Sequence, residues 1–134
     1  MPQTIDKETH RALAASLFNE TWRLLDLPSR SPEQDVLMIH SAHASRLHWE
    51  VSGNATNKAV GEWQIARVYS VLGLAESALY HAKLCLELGE QNPGFHLGCA
   101  HEAMARALSL TDKQQARFHH AAATEILDQD PERS

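Results

Sequence analysis

The chain has 134 residues, within the ~100–150 typical of one domain, and a formal net charge of −5. Hydrophobic residues at 43% and charged residues at 22% exclude a disordered chain, and the acidic balance argues against general affinity for nucleic acid or acidic lipid. Aromatics are only 6%, while Ala and Leu supply 36 residues, a composition suited to closely packed helices rather than sheet.

The opening segment Met1 to Glu8 has no basic stretch followed by an apolar one, and no apolar run reaches the ~18 residues of a membrane span. A cytoplasmic address with no membrane partner is therefore expected, with Cys85 and Cys99 reduced and packed as small apolar residues.

Leu13, Leu17, Phe18 and Leu24 recur at helical spacing and predict a first helix over about Ile5 to Leu27, ended by Pro28-Ser29-Arg30-Ser31-Pro32. Ser31 is positioned as the N-cap of a second helix. Pro32 takes its first helical position, and Glu33 and Asp35 meet the positive end of its dipole. That helix extends to about Val51 and stops at Ser52-Gly53-Asn54. A third, about Asn57 to Leu72, carries Trp63, Ala66, Val68 and Tyr69, with Gly73 as its C′ residue. The fourth spans about Ala75 to Gly89, and Gln91-Asn92-Pro93-Gly94 breaks the chain again. A fifth runs from about Phe95 to Leu110, and Thr111 or Asp112 caps a sixth that ends near Leu127, before a polar tail over 128–134. No segment alternates with period two for long enough to make a strand. The expectation is all-α, with about six antiparallel helices in three stacked hairpins.

The turns Leu72-Gly73-Leu74-Ala75-Glu76-Ser77-Ala78 and Leu110-Thr111-Asp112-Lys113-Gln114-Gln115-Ala116 align at an offset of 38 residues. Each follows an amphipathic helix. Each precedes a row of mostly small residues, Ala78, Ala82 and Cys85 in one case and Ala116, His120 and Ala123 in the other. This pattern resembles the tetratricopeptide repeat, a helix-turn-helix unit of about 34 residues. In the first copy Ala66, Tyr69, Gly73 and Ala78 stand at motif positions, Trp63 lies one residue beyond the motif's early aromatic, and Cys85 replaces an Ala. In the second, Ala116 and Ala123 match while Met104, Ala107 and Thr111 replace the small residue, the Tyr and the Gly. The four extra residues fall most simply around Asn92 to Phe95.

The resemblance divides one domain into an N-terminal hairpin over 1–53, a repeat over 57–91 and a degenerate repeat over 94–127. The segments Ala42 to Trp49 and Gly61 to Tyr69 also resemble a group of small bacterial tetratricopeptide-like proteins with no known activity. The physics agrees with the match. Ala and Gly allow close helix crossings, and one hairpin cannot bury both faces of its helices, so three stack.

In tetratricopeptide arrays the first helix of each repeat lines a groove that holds partner segments. That resemblance implies a groove built from Trp63, Arg67 and Ser70 of the third helix and His101 of the fifth. A Trp beside an Arg has the composition of a binding hot spot. The competing arrangement packs Trp63 under the first or second helix and pairs Arg67 with Glu62 or Glu102. Trp22, Trp49 and Trp63 all require burial, and a homodimer through a terminal hairpin would supply what three hairpins do not.

His40 and His43 lie one turn apart on the second helix and form a candidate metal pair, with His48 diverging by about 80° and 140° from them. A zinc site wants a third or fourth converging ligand. No CxxC or HExxH accompanies these histidines, which serve equally as polar residues at helix seams. His119 and His120 cannot share one face. Catalytic patterns are weaker: the Gly53 to Lys58 segment lacks phosphate-loop spacing, and His43 and Ser45 face apart on one helix. Glu87 and Glu90 read as solvated acids. The sequence thus points to a non-catalytic module without a cofactor, binding a protein or peptide partner or its own copy. The alternative is a metal-binding helical protein using His40 and His43 in a hydrolytic or regulatory role.

Overall fold

The computed structural model describes residues 5–91 and 95–129, with the side chains of Phe95 and His96 left aside. Six helices follow in order: α1 (Lys7–Leu25), α2 (Pro32–Ser52), α3 (Ala55–Val71), α4 (Ala75–Gln91), α5 (Phe95–Leu108) and α6 (Lys113–Asp128). Among the described residues there is no strand, and the protein is all-α. Residues 92–94 of the expected loop insertion and most of the polar tail lie outside the described residues.

Local chemistry sets the boundaries. Asp6 rather than Ile5 starts α1, its carboxylate accepting from the Thr9 N–H at 2.8 Å. Ser31 caps α2 as expected: its hydroxyl accepts from the Gln34 N–H at 3.2 Å, and the Gln34 side chain accepts from the Ser31 N–H at 2.9 Å. That reciprocal capping box satisfies two donors that a bare helix start leaves open. Asn54 and Asn57 repeat the device at α3, which therefore begins two residues earlier than its periodicity predicts. Asp112, not Thr111, caps α6 through the Gln115 N–H at 3.1 Å.

Gly73 closes α3 with φ of +75°. Its N–H donates to the Ser70 carbonyl and the Leu74 N–H reaches back to the Tyr69 carbonyl at 2.9 Å. These two bonds make a Schellman ending, and a residue without Cβ enters that left-handed conformation without strain.

Consecutive helices pair as α1 with α2, α3 with α4 and α5 with α6. α2 then packs on α3, and α4 and α3 pack on α5. Small residues set the approach between neighbours. Ser45 is fully buried and donates its hydroxyl to the Ala14 carbonyl of α1 at 2.7 Å. A Cβ on Gly98 of α5 would lie 2.7 Å from the Leu127 side chain of α6.

Two apolar clusters result. One is Ala-rich and joins Ala66, Ala78, Ala82, Ala103, Met104 and Ala116 across the last two hairpins. The other joins Leu24, Met38, Ala42, Ile65 and Val68 across the first three helices. Paired repeat positions share this fate: Ala66 and Met104, Ala78 and Ala116, and Cys85 and Ala123 are all buried. Close packing of small side chains lets helices gain dispersion contacts over long stretches despite few aromatics.

Candidate functional site

Two groups of polar side chains stand out, one across α1, α3 and α5 and the other across α2, α3 and α4. In the first, the half-buried Trp63 of α3 leans on Trp22 of α1, with ring centroids 5.5 Å apart. Its indole N–H donates to Glu102 of α5 at 3.0 Å, and its ring also rests against the Ala-rich core cluster. Trp63 therefore packs against α1, as the competing arrangement expects, and remains partly exposed.

Arg67 lies one helical turn on from Trp63, its guanidinium carbon 5.6 Å from the Trp22 ring centroid. Stacking of a guanidinium over an indole face is a favourable cation–π geometry. Among the described residues no carboxylate lies within ion-pair distance of Arg67. Glu102 instead binds Arg106, at 2.6 Å and 2.9 Å, and Glu62 binds Arg46. Burial, followed by the neighbouring positive charge of Arg106, pushes the Arg67 guanidinium below its ordinary range, against the pull of Glu102 and Asp26.

Ser70 stands one turn further along α3 with its hydroxyl oxygen buried and unpartnered among the described residues. His101 is held elsewhere. Its ring stacks on His119 of α6 with centroids 4.9 Å apart and the two Nδ1 atoms at 2.7 Å. Glu102 and Arg106 are the α5 side chains that extend the Trp63 and Arg67 row. They also border an open cleft of about 420 Å³ between α5 and α6, which Arg117 and His120 line from the other side.

The second group is more deeply set. Glu62 of α3 is buried, its carboxylate accepting from Arg46 Nε of α2 at 2.8 Å and meeting His81 Nδ1 of α4 at 2.7 Å. The His81 ring stacks on Tyr69 and meets His43 edge-on, with centroids 5.7 Å and 5.2 Å away. His43 Nε2 in turn lies 2.8 Å from the Tyr69 hydroxyl. Burial, then the adjacent His81, holds the His43 imidazole below its ordinary range and so favours the neutral ring.

His40 is exposed on α2, so the structure separates the two histidines by environment. Among the described residues, no group of three or more His, Cys, Asp or Glu side chains converges as a metal site. His10 and His48 form another interhelical pair, with Nδ1 atoms 2.7 Å apart.

Neither cysteine is in a disulfide; Cys85 is buried, donates to the Ala59 carbonyl, and burial pushes its thiol up to about 12. That places it far from the thiolate a reactive cysteine needs. Ser45, the hydroxyl weighed as a nucleophile, is committed to the Ala14 carbonyl.

The sequence reading missed the Arg46–Glu62–His81 chain, which joins residues 16 and 19 positions apart. One signal was available. His43 with Arg46, and Glu62 with Tyr69, each sit at spacings that share a helix face. None of the described helices is long and apolar enough to cross a membrane. In comparisons with known proteins, no family model, curated protein or solved structure matches this chain.

Proposed function

We propose that the chain is a non-catalytic tetratricopeptide-like module that binds an acidic peptide segment of a partner protein along the α1–α3–α5 face. The observation that carries this reading is Arg67, half-buried on Trp22 beside Trp63 and lacking a carboxylate among the described residues. A guanidinium held in a partly desolvated place gains most from an incoming carboxylate, which it can grip with two parallel hydrogen bonds. Trp22 and Trp63 supply apolar area at low entropy cost for the adjoining side chain. Arg117, at the mouth of the neighbouring cleft where Arg106 is already paired with Glu102, offers a positive charge to a second acid of the segment.

The contact area offered is short, so a single segment binds with micromolar rather than nanomolar affinity. Titration with synthetic peptides tests this, using the fluorescence of the intrinsic tryptophans. Peptides with an apolar residue flanked by Asp or Glu should shift the emission, and charge-reversed Lys versions should not. Arg67→Ala should abolish the shift while leaving the melting temperature within a few degrees of wild type. If acidic and basic peptides behave alike, or Arg67→Ala binds as wild type does, the reading fails.

A further inference from the structure

The outward face of α6 takes no part in the proposed peptide contact at Trp22, Trp63 and Arg67. We propose that it is a self-association surface, on which a second copy of the chain lays its own α6 antiparallel about a two-fold axis through Ala121.

The first observation is position. α6 is the last helix of the stack and packs on α5, burying Ala116, His119 and Ala123. Phe118, Ala121, Glu125 and Asp128 recur at helical spacing on the opposite side, and all four are exposed. Phe118 is 65% exposed, the most open large apolar side chain among the described residues. The end of a helical stack has no next hairpin to cover it, so an apolar side chain there lacks the contact that inner hairpins supply.

The second observation is the order of charges, and it names the occupant. Lys113 and Arg117 stand one turn apart at the start of α6, Glu125 and Asp128 one turn apart at its end, and all four are exposed. Like charges one turn apart repel on a helix. A lysine in the first turn and an acid in the last also oppose the helix dipole. Among the described residues no ion pair engages Lys113, Arg117 or Glu125. Within one chain this order is therefore unfavourable.

An antiparallel copy reverses that balance. With Ala121 on the axis, residues equally far before and after it meet, so Lys113 and Arg117 of each chain lie beside the partner's Asp128 and the partner's Glu125. A parallel copy would set like charges together, and a uniformly acidic or basic partner would match only one half of the face. Ala121 and the half-buried Ala122 let the two axes approach closely, and Phe118 fills the space beside the partner's Ala122. α6 has 16 residues. It is therefore ~24 Å long, too short for the ~800 Å² per partner of a standard interface, so association is micromolar and salt-sensitive.

Sedimentation velocity of the untagged chain over about 1–200 μM tests this, with circular dichroism as the check on folding. Expected is a reversible monomer–dimer equilibrium whose midpoint rises about tenfold between ~0.05 and ~0.5 M salt. Phe118→Glu should abolish the dimer without loss of helicity. The decisive pair is Lys113→Glu/Arg117→Glu and Glu125→Lys/Asp128→Lys. Each variant alone should be monomeric, and their equimolar mixture should form a heterodimer. A monomer at every concentration, a dimer that survives Phe118→Glu, or a mixture that stays monomeric would overturn the proposal. Arg117 borders both this face and the α5–α6 cleft. Peptide titration of the monomeric Phe118→Glu chain keeps the two proposals apart, because Trp22, Trp63 and Arg67 are intact in it.

Discussion

Removing Glu62 is the sharpest probe of how α2, α3 and α4 are held together. Its side chain is 6% exposed and joins Arg46, 17% exposed, to His81. Glu62→Ala leaves the Arg46 guanidinium in its half-buried place with only the exposed Glu50, 3.3 Å away, as a partner. Breaking a fully buried ion pair costs ~3–5 kcal/mol, and the surviving Glu50 contact lowers the expected loss here to about 2–4 kcal/mol. The control is Glu50→Ala, whose side chain is 54% exposed and bridges Arg46 and Lys58. A screened surface acid of this kind should cost no more than about 0.5–1 kcal/mol. Urea unfolding followed by tryptophan fluorescence and circular dichroism separates the two, and the Glu62 loss corresponds to a melting temperature lower by roughly 6–15 °C. A third variant sharpens the logic. Replacing Arg46, Glu62 and His81 together by Met, Leu and Phe removes every buried charge, and such exchanges are commonly neutral or stabilising. If Glu62→Ala costs no more than Glu50→Ala, the network carries no buried charge worth the name and the reasoning is refuted.

Acidification should loosen the helix seams. His43, His48, His101 and His119 are each held below their ordinary range chiefly by burial, with neighbouring imidazoles adding to the effect at His43, His48 and His119. A depressed histidine lets the unfolded chain bind the extra proton. Stability is therefore full above about pH 7 and falls as pH drops through ~6.5, by at most ~1.4 kcal/mol per pH unit for each group. Melting temperatures between pH 7.5 and pH 5 check this above the carboxylate range, and a flat profile would contradict it. Gly73→Ala places a Cβ at φ of +75°, with an expected cost of about 1–2 kcal/mol. Loss of the helical signal beyond that single increment would mean the α3–α4 turn does more than change direction.

Much of the fold was written locally. Ser31 before Pro32, Gly73 after Leu72 and Asp112 before Lys113 are start and stop chemistry acting over three or four residues, so helix number and order followed from the chain alone. Boundaries slipped by two residues, at the start of α3 because Asn54 caps it and at the ends of α1, α4 and α5, where periodicity alone marks the last turn poorly. The Ala-rich seams were legible for the same reason, since residues three or four apart share a helix face whatever surrounds them.

The site followed different rules. Spacing along α2 placed His43 beside His40, yet packing turned His43 toward Tyr69 and His81 and left His40 exposed. His101 likewise joined His119 of α6 while Glu102, its chain neighbour, met Trp63. A helical period states which side chains leave one helix together. It carries no record of which helix they will meet, because that depends on crossing positions fixed by the summed packing of distant small residues. Composition and punctuation thus determined six helices and their pairing, whereas only the assembled hairpins decided that Arg46, Glu62 and His81 would share a charge and that Arg67 would stack on Trp22.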